Sequence, residues 1–262
     1  MDWELAHLRQ LLPNAASKER CDGQLAYLAQ LDDQPIVMAA SGMGMVSAAA
    51  GTQQVISRYS PHAVVNYGCA GAHRLELLPG DIVVATRLVA YDNIRETPEG
   101  ELHYRGMYYL EAGEQRRIDS LAVNGQLVAV ARAAAEELAD GHDPWPASLA
   151  WPSGVAHRSP RVAFGTVLSA DRWNRSPATI GSLVERHDSL CEDMEAAAIG
   201  LVCASRGVPF LSIKDISNNE LLRPTRSGQA MLTELGIEQV ARRAAAFTLA
   251  VVRALVQSSS RR

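Results

Sequence analysis

Residues 191–219, CEDMEAAAIGLVCASRGVPFLSIKDISNN, decide the fold, because they form a helix-turn-strand unit with a polar side chain at each end. Glu195, Ala198, Ile199 and Val202 share one face at helical spacing. Gly207 and Pro209 punctuate the chain, and 210–213 has the composition of a short buried strand. Glu195 opens the helix and Asn218 follows the strand. A unit of this build can aim both groups at one ligand.

Outward from this unit, helix and strand patterns alternate, which predicts an α/β protein with helices on both faces of a parallel or mixed sheet. Leu5, Leu8 and Leu12 have helical spacing within 3–12, and 25–31 and 36–40 are neighbouring strands across the Asp32-Asp33 turn. A small-residue helix over 45–57, a buried strand over 62–66 and an apolar run from Gly80-Asp81 to Val89 follow. Residues 92–120 are polar and loosely patterned. A helix over 120–138 precedes GHDPWPASLAWPSG, a surface excursion, ordered or flexible, rather than a domain boundary. Residues 161–168 resume the sheet, and 231–255 has the periodicity of a terminal helix. One domain over 1–256 is expected, with 257–262 as a disordered tail.

With 262 residues the chain can bury a large core and lies at the upper edge of one α/β domain. Its 25 basic and 29 acidic residues nearly balance, which leaves no electrostatic footprint for nucleic acid. No apolar run spans a bilayer, and MDWELAHLRQLL carries charges where a signal peptide needs an apolar stretch. A cytoplasmic protein without a membrane partner is expected. Cys21, Cys69, Cys191 and Cys203 lack CxxC spacing and the histidines lack an HExxH pair, so neither a disulfide framework nor a metal site is expected.

Four segments follow strand-like runs, where open α/β sheets bind ligands. Ser41-Gly42-Met43-Gly44 lets backbone approach a ligand at a helix start, although a tight turn alone explains it and no Gly-Lys-Ser/Thr phosphate signature follows. Residues 66–72, NYGCAGA, then 79–84, PGDIVV, suit a flat ring lying on backbone; the plainer account is a turn and a hairpin entry. In SADRWN, 169–174, Trp173 either stacks on a base or lines the core. In the fourth, Met194 and Glu195 begin a helix, where a glutamate is commonly only a dipole partner.

Taken in order, SGMG, NYGCAGA, PGDIVV, SADRW, DMEAAAIGLVCASRGVPF and ISN resemble the nucleoside phosphorylase and nucleosidase superfamily, especially methylthioadenosine/S-adenosylhomocysteine nucleosidases and futalosine hydrolases. The resemblance covers about 1–219 and implies a three-layer αβα sandwich with a central mixed sheet, hydrolysing the N-glycosidic bond of a purine nucleoside. It implies that Glu195 holds the ribose hydroxyls over Met194, as an oxocarbenium-like sugar develops. Glu4, in MDWELAHLR, takes the place of the glutamate that positions the attacking water. The family's first strand normally precedes that motif, whereas this chain begins inside it. Either that strand lies upstream of Met1 or the protein lacks it; the first is favoured, because losing a central strand would expose its neighbours' backbone.

By the same resemblance Met43 and Gly44 line the ribose end, Cys69, Ala70 and Gly71 the floor, and Trp173 the base, with Asp193 beside Glu195 and Ser217 assisting Asn218. Adenine-cleaving relatives have aspartate at Asn218, to protonate the purine. An amide cannot be that acid, and its donor and acceptor suit a 6-oxopurine. Asp215 or Glu220 is the acid only if the register shifts. Phosphorylases of the superfamily place cations near Asn66 that this chain lacks, though Arg74 lies close in sequence, so phosphorolysis is the alternative; a catalytically impaired nucleoside-binding protein is another. No cofactor is implied, and a homodimer is.

Overall fold

The structure, a computed structural model, describes residues 2–12, 17–21, 24–138, 145, 149, 151–222 and 237–259. Helix α1 (Asp2–Leu11) leads into a three-stranded antiparallel meander of β1 (Ser17–Cys21), β2 (Gln24–Leu31) and β3 (Gln34–Ala39). Asp32 and Asp33 turn the β2–β3 hairpin with φ of 48° and 64°, the left-handed pair that a two-residue hairpin requires and that aspartate tolerates. The meander buries Tyr27, Leu31 and Met38 against Leu5 and Leu8 of α1.

Next come α2 (Met45–Tyr59), β4 (Val64–Ala72) and β5 (Ile82–Ala90). The loosely patterned 92–120 contains two small hairpins, β6 (Ile94–Glu96) with β7 (Leu102–Tyr104) and β8 (Met107–Glu111) with β9 (Glu114–Ile118). Short β10 (Leu121–Ala122) precedes α3 (Gly125–Leu138), which starts later than periodicity predicts because Asn124 Oδ1 accepts the amides of Gln126 and Leu127 as a cap.

Strand β11 (Val162–Ser169), α4 (Pro177–His187), β12 (Ser189–Asp193), α5 (Ala196–Ser205) and β13 (Phe210–Asn218) complete the sheet, and α6 (Ile237–Ser259) packs over it. Of the expected terminal helix, 231–236 lie outside the described residues. Helix α6 runs three residues into the segment expected as a tail, because its apolar stripe through Val251 stays buried against the core and carries the last turns with it.

The central sheet has the order β10-β5-β11-β12-β4-β13. It is mixed: β11 pairs in parallel with β5 and β12, β13 in parallel with β4, while β12–β4 and β10–β5 are antiparallel. An antiparallel β13–β5 ladder at 213–215 ties the ends together. Helices α2 and α5 pack on each other to one side, and α1, α3 and α6 form a second helical group. Of the Trp-rich excursion, Trp145 is buried, donates its indole N–H to Pro79 O and packs beside Leu78, Trp151 and Leu222, which makes this part an ordered cover.

Two further elements differ in extent from their sequence reading, and both matter for the site. NYGCAGA lies inside β4, not in a turn after it, and β13 continues to Asn218. Lys214 and Asp215 interrupt the apolar run and hide that continuation. Strands β3 and β4 face one another across a cavity of about 1020 Å³, lined by Ile36, Val37, Val65, Tyr67 and Leu8. Among the described residues β3 has no ladder partner on that side, and β4 has one only at 71–72, where it meets β12.

Candidate active site

The site is built where β4 and β13 end and where α2 and α5 begin. Glu4 is 8% exposed, so it is no solvated surface charge; its Oε1 accepts the amide of Cys69 at 3.1 Å. The Tyr67 hydroxyl donates to the Glu4 carbonyl, pinning α1 over β4. Gly68 is required for this approach, since a Cβ there would stand 2.9 Å from the carboxylate. At the other end of the same floor, a Cβ on Gly71 would stand 3.3 Å from Asn218 Nδ2. The β4–β13 register sets Asn218 opposite Gly71 and Asp215 opposite Cys69, so Glu4, Cys69, Ala70, Gly71, Ser217 and Asn218 are brought together.

Glu195 is the N-cap residue of α5 but does not cap it. Its Oε1 instead accepts the amide of Gly44, 2.9 Å away in the loop that opens α2, and its Oε2 faces the amide of Met194. Gly44 has φ +89°, which disfavours any side chain. Asp171 Oδ1 accepts the amide of Met45 at 2.7 Å, satisfying an α2 amide that Gly44 cannot cap. Met43 and Trp173 are 57% and 69% exposed. The core-lining account of Trp173 therefore fails.

Asp193 is buried beneath this turn, and its oxygens are occupied. It accepts from Ser169 Oγ and from the Ala196 amide and pairs with Lys214 at 2.7 Å, both side chains 1% exposed. Its carboxylate is thus engaged within the protein, on the first amide of α5 next to Glu195. Burial alone would lower the Lys214 pKa, but Asp193, Glu195 and Glu4 outweigh it and raise it. The field of one buried ammonium thus reaches both candidate catalytic carboxylates.

Burial raises the Glu195 pKa, opposed by Lys214 and reinforced by Asp193. Burial and then Glu4 push Asp215 up to about 7 and the Cys69 thiol up to about 12. Cys69 is accordingly a neutral lining group. Arg74 donates to Asp188 and to Ser189 O. Its guanidinium is thus paired within the chain.

Several residues of the site carried no clear signal in the sequence. Glu192 accepts the Asn174 amide, the Asn174 side chain and the Tyr91 hydroxyl, fixing the loop that presents Trp173. Burial opposes its charge, but these bonds and His73 hold its pKa below the ordinary value. Asp171 sits in the quoted SADRW motif and Lys214 within the decisive segment; a buried charge inside a strand pattern was the available clue to Lys214. Glu220, against Asn218, follows the last recognised motif.

A strand-end site with two carboxylates, each held on a backbone amide from a different element, is one that an α/β enzyme can offer to a developing positive charge. A family model described as the phosphorylase superfamily matches residues 1–257. The chain belongs to that superfamily. It is 30% identical over 220 residues, covering 82% of the chain and 81% of the relative, to the 5'-methylthioadenosine/S-adenosylhomocysteine nucleosidase of Mycobacterium bovis. It is 28% identical to the enzyme of the same description from Chromohalobacter salexigens, covering 98% and 95% of the two chains. The fold is similar to that of Helicobacter pylori futalosine hydrolase, with a TM-score of 0.73, 21% identity and coverage of 96% and 94%.

Proposed function

We propose that this protein hydrolyses the N-glycosidic bond of a purine nucleoside of the methylthioadenosine, adenosylhomocysteine or futalosine type. The observation that carries this reading is the pair Glu4 and Glu195, one buried and one half-buried carboxylate, fixed by the amides of Cys69 and Gly44. Its support also includes relatives whose names state nucleosidase activity.

In this mechanism Glu195 orients the ribose hydroxyls, and its negative charge gains value as the sugar becomes cationic at bond breaking. Glu4 accepts a proton from the attacking water, which adds to the anomeric carbon as the base departs. Asn218 hydrogen-bonds the leaving purine, and Trp173 supplies an aromatic face for it. Met43, Gly44 and Met194 line the sugar end. The commitment of Arg74 to Asp188 favours water over phosphate as nucleophile.

The partner is a small nucleoside. A homodimer is part of the proposal, supported by exposed apolar Met43, Val46 and Trp173 at the rim. So is a cytoplasmic location, supported by free Cys69, Cys191 and Cys203 and by the absence, among the described residues, of a helix long and apolar enough to cross a membrane.

Incubation with methylthioadenosine, adenosylhomocysteine, inosine and a futalosine-type nucleoside, with and without phosphate, tests the reading. Free base with the unphosphorylated sugar is expected. Sugar 1-phosphate as product, or tight binding without release of base, overturns it.

A further inference from the structure

Glu220 lies in the turn after β13, and the fold holds that turn firmly. Asn219 is fully buried, its Nδ2 donating to Arg74 O at 2.9 Å and Leu77 O at 2.7 Å and its Oδ1 accepting the Leu221 amide at 3.0 Å. The Glu220 side chain is 3% exposed. A carboxylate so buried needs partners. Its Oε2 lies 3.7 Å from Arg175 Nε, and its Oε1 accepts from Asn218 Nδ2 at 3.3 Å. On the opposite end of that amide, Ser217 Oγ donates to Asn218 Oδ1 at 3.0 Å, a shorter contact than its 3.4 Å to Ala70 O.

An ionised carboxylate only accepts hydrogen bonds, so it fixes which end of the Asn218 amide faces it. One Nδ2 proton is spent on Glu220 and one Oδ1 lone pair on Ser217. One donor and one acceptor remain. A 6-aminopurine offers N7 as acceptor beside an amino donor, which an asparagine matches in bidentate fashion, whereas a 6-oxopurine offers two acceptors. Meeting two acceptors would take both Nδ2 protons, and the Glu220 carboxylate holds one of them.

We propose that Glu220 is the specificity-determining positioning residue of this site, locking Asn218 in the orientation that selects a 6-aminopurine over a 6-oxopurine. The inference rests on the purine-nucleoside reading above. It reverses the base that Asn218 alone suggests. Glu220 acts through Asn218 and touches no reacting atom.

The test compares kcat and KM for methylthioadenosine and methylthioinosine in the natural protein, Glu220→Gln and Glu220→Ala. The natural protein is expected to favour the 6-amino substrate by about tenfold or more, the value of one bidentate contact. Both variants should lose that preference, mainly through KM, because the second Nδ2 proton is then no longer claimed by a carboxylate. Adenine should inhibit the natural protein at about tenfold lower concentration than hypoxanthine, by the same contact; this measurement stands even where a variant does not fold. An unchanged ratio in folded variants, a preference for the 6-oxo substrate, or equal inhibition by the two bases overturns the role of Glu220. Cleavage of neither nucleoside sinks the purine-nucleoside reading itself, and this proposal with it.

Discussion

The Gly44 amide donates to Glu195 Oε1 at 2.9 Å across 151 residues of sequence, joining the start of α2 to the start of α5. Glutamine at 195 keeps an oxygen for that amide but removes the charge. Glu195→Gln should therefore retain its melting temperature within a few degrees while kcat falls by roughly 10² to 10³, the usual cost of one lost transition-state electrostatic contact. Undiminished turnover would remove Glu195 from the mechanism.

Glu4→Gln separates water activation from sugar binding. The amide oxygen can still accept from Cys69, so the floor should hold and KM should change little. The loss belongs in kcat, by roughly 10² or more for a general base. Steady-state kinetics showing a KM effect alone would place Glu4 in binding instead.

Asn218→Asp should create the acid that the natural side chain cannot be. The new carboxyl would stand beside Glu220, whose Oε1 is 3.3 Å from Asn218 Nδ2. Two adjacent carboxylates hold a shared proton, so this pair should stay partly protonated at neutral pH. Turnover of adenine nucleosides should rise by roughly 10²-fold, as for an added general acid, and fall as the pair ionises with rising pH. A pH–rate profile without that limb would count against proton donation at this position.

Asp215 gives stability a pH dependence of definite sign. Its folded pKa, raised mainly by burial and then by Glu4 to about 7, lies above the unfolded value of 3.8, so folding favours the protonated form. The contribution of Asp215 to stability is full below about pH 4 and is lost as pH rises through about 7. Asp215→Asn should flatten that decline and raise the melting temperature at pH 8 more than at pH 5. Parallel melting curves for the two proteins across this range would exclude it.

Lys214→Met leaves the Asp193 charge buried without its ammonium partner. A cost of about 3–5 kcal/mol is expected from breaking such a pair on one side. Urea unfolding measures it, and Asp193→Asn in the same chain should recover part of the loss.

Much of this arrangement is legible in the sequence because it is local. The spacing of Glu195, Ala198, Ile199 and Val202 marks α5, and the glycines of NYGCAGA mark a surface that something approaches closely. Sequence alone does not tell what approaches. Gly68 makes room for Glu4 and Gly71 for Asn218, and both pairings depend on long-range register. Strand β12 is short and ends in two acids, whose burial makes sense only with Lys214, His73 and Asn174 in place. Helix α4 is absent from the sequence reading: Ser176 as cap and Pro177 in its first turn signal its start, but its modest apolar stripe at Ile180 and Leu183 lies among polar residues.

The cavity between β3 and β4 leaves the active-site floor with one side unladdered over 64–70. Val64 donates its amide to Pro209, on the β13 side of the strand, and Cys69 donates to Glu4. Strand alternation then turns the peptide groups of Val65 and Tyr67 toward the cavity, where β4 remains half-buried over 64–67. These amides should exchange with deuterium sooner than those of β5, which is buried on both faces at 82–85. Glu4, the proton acceptor of the proposed mechanism, is thus also a latch that reaches from α1 onto the open edge of β4.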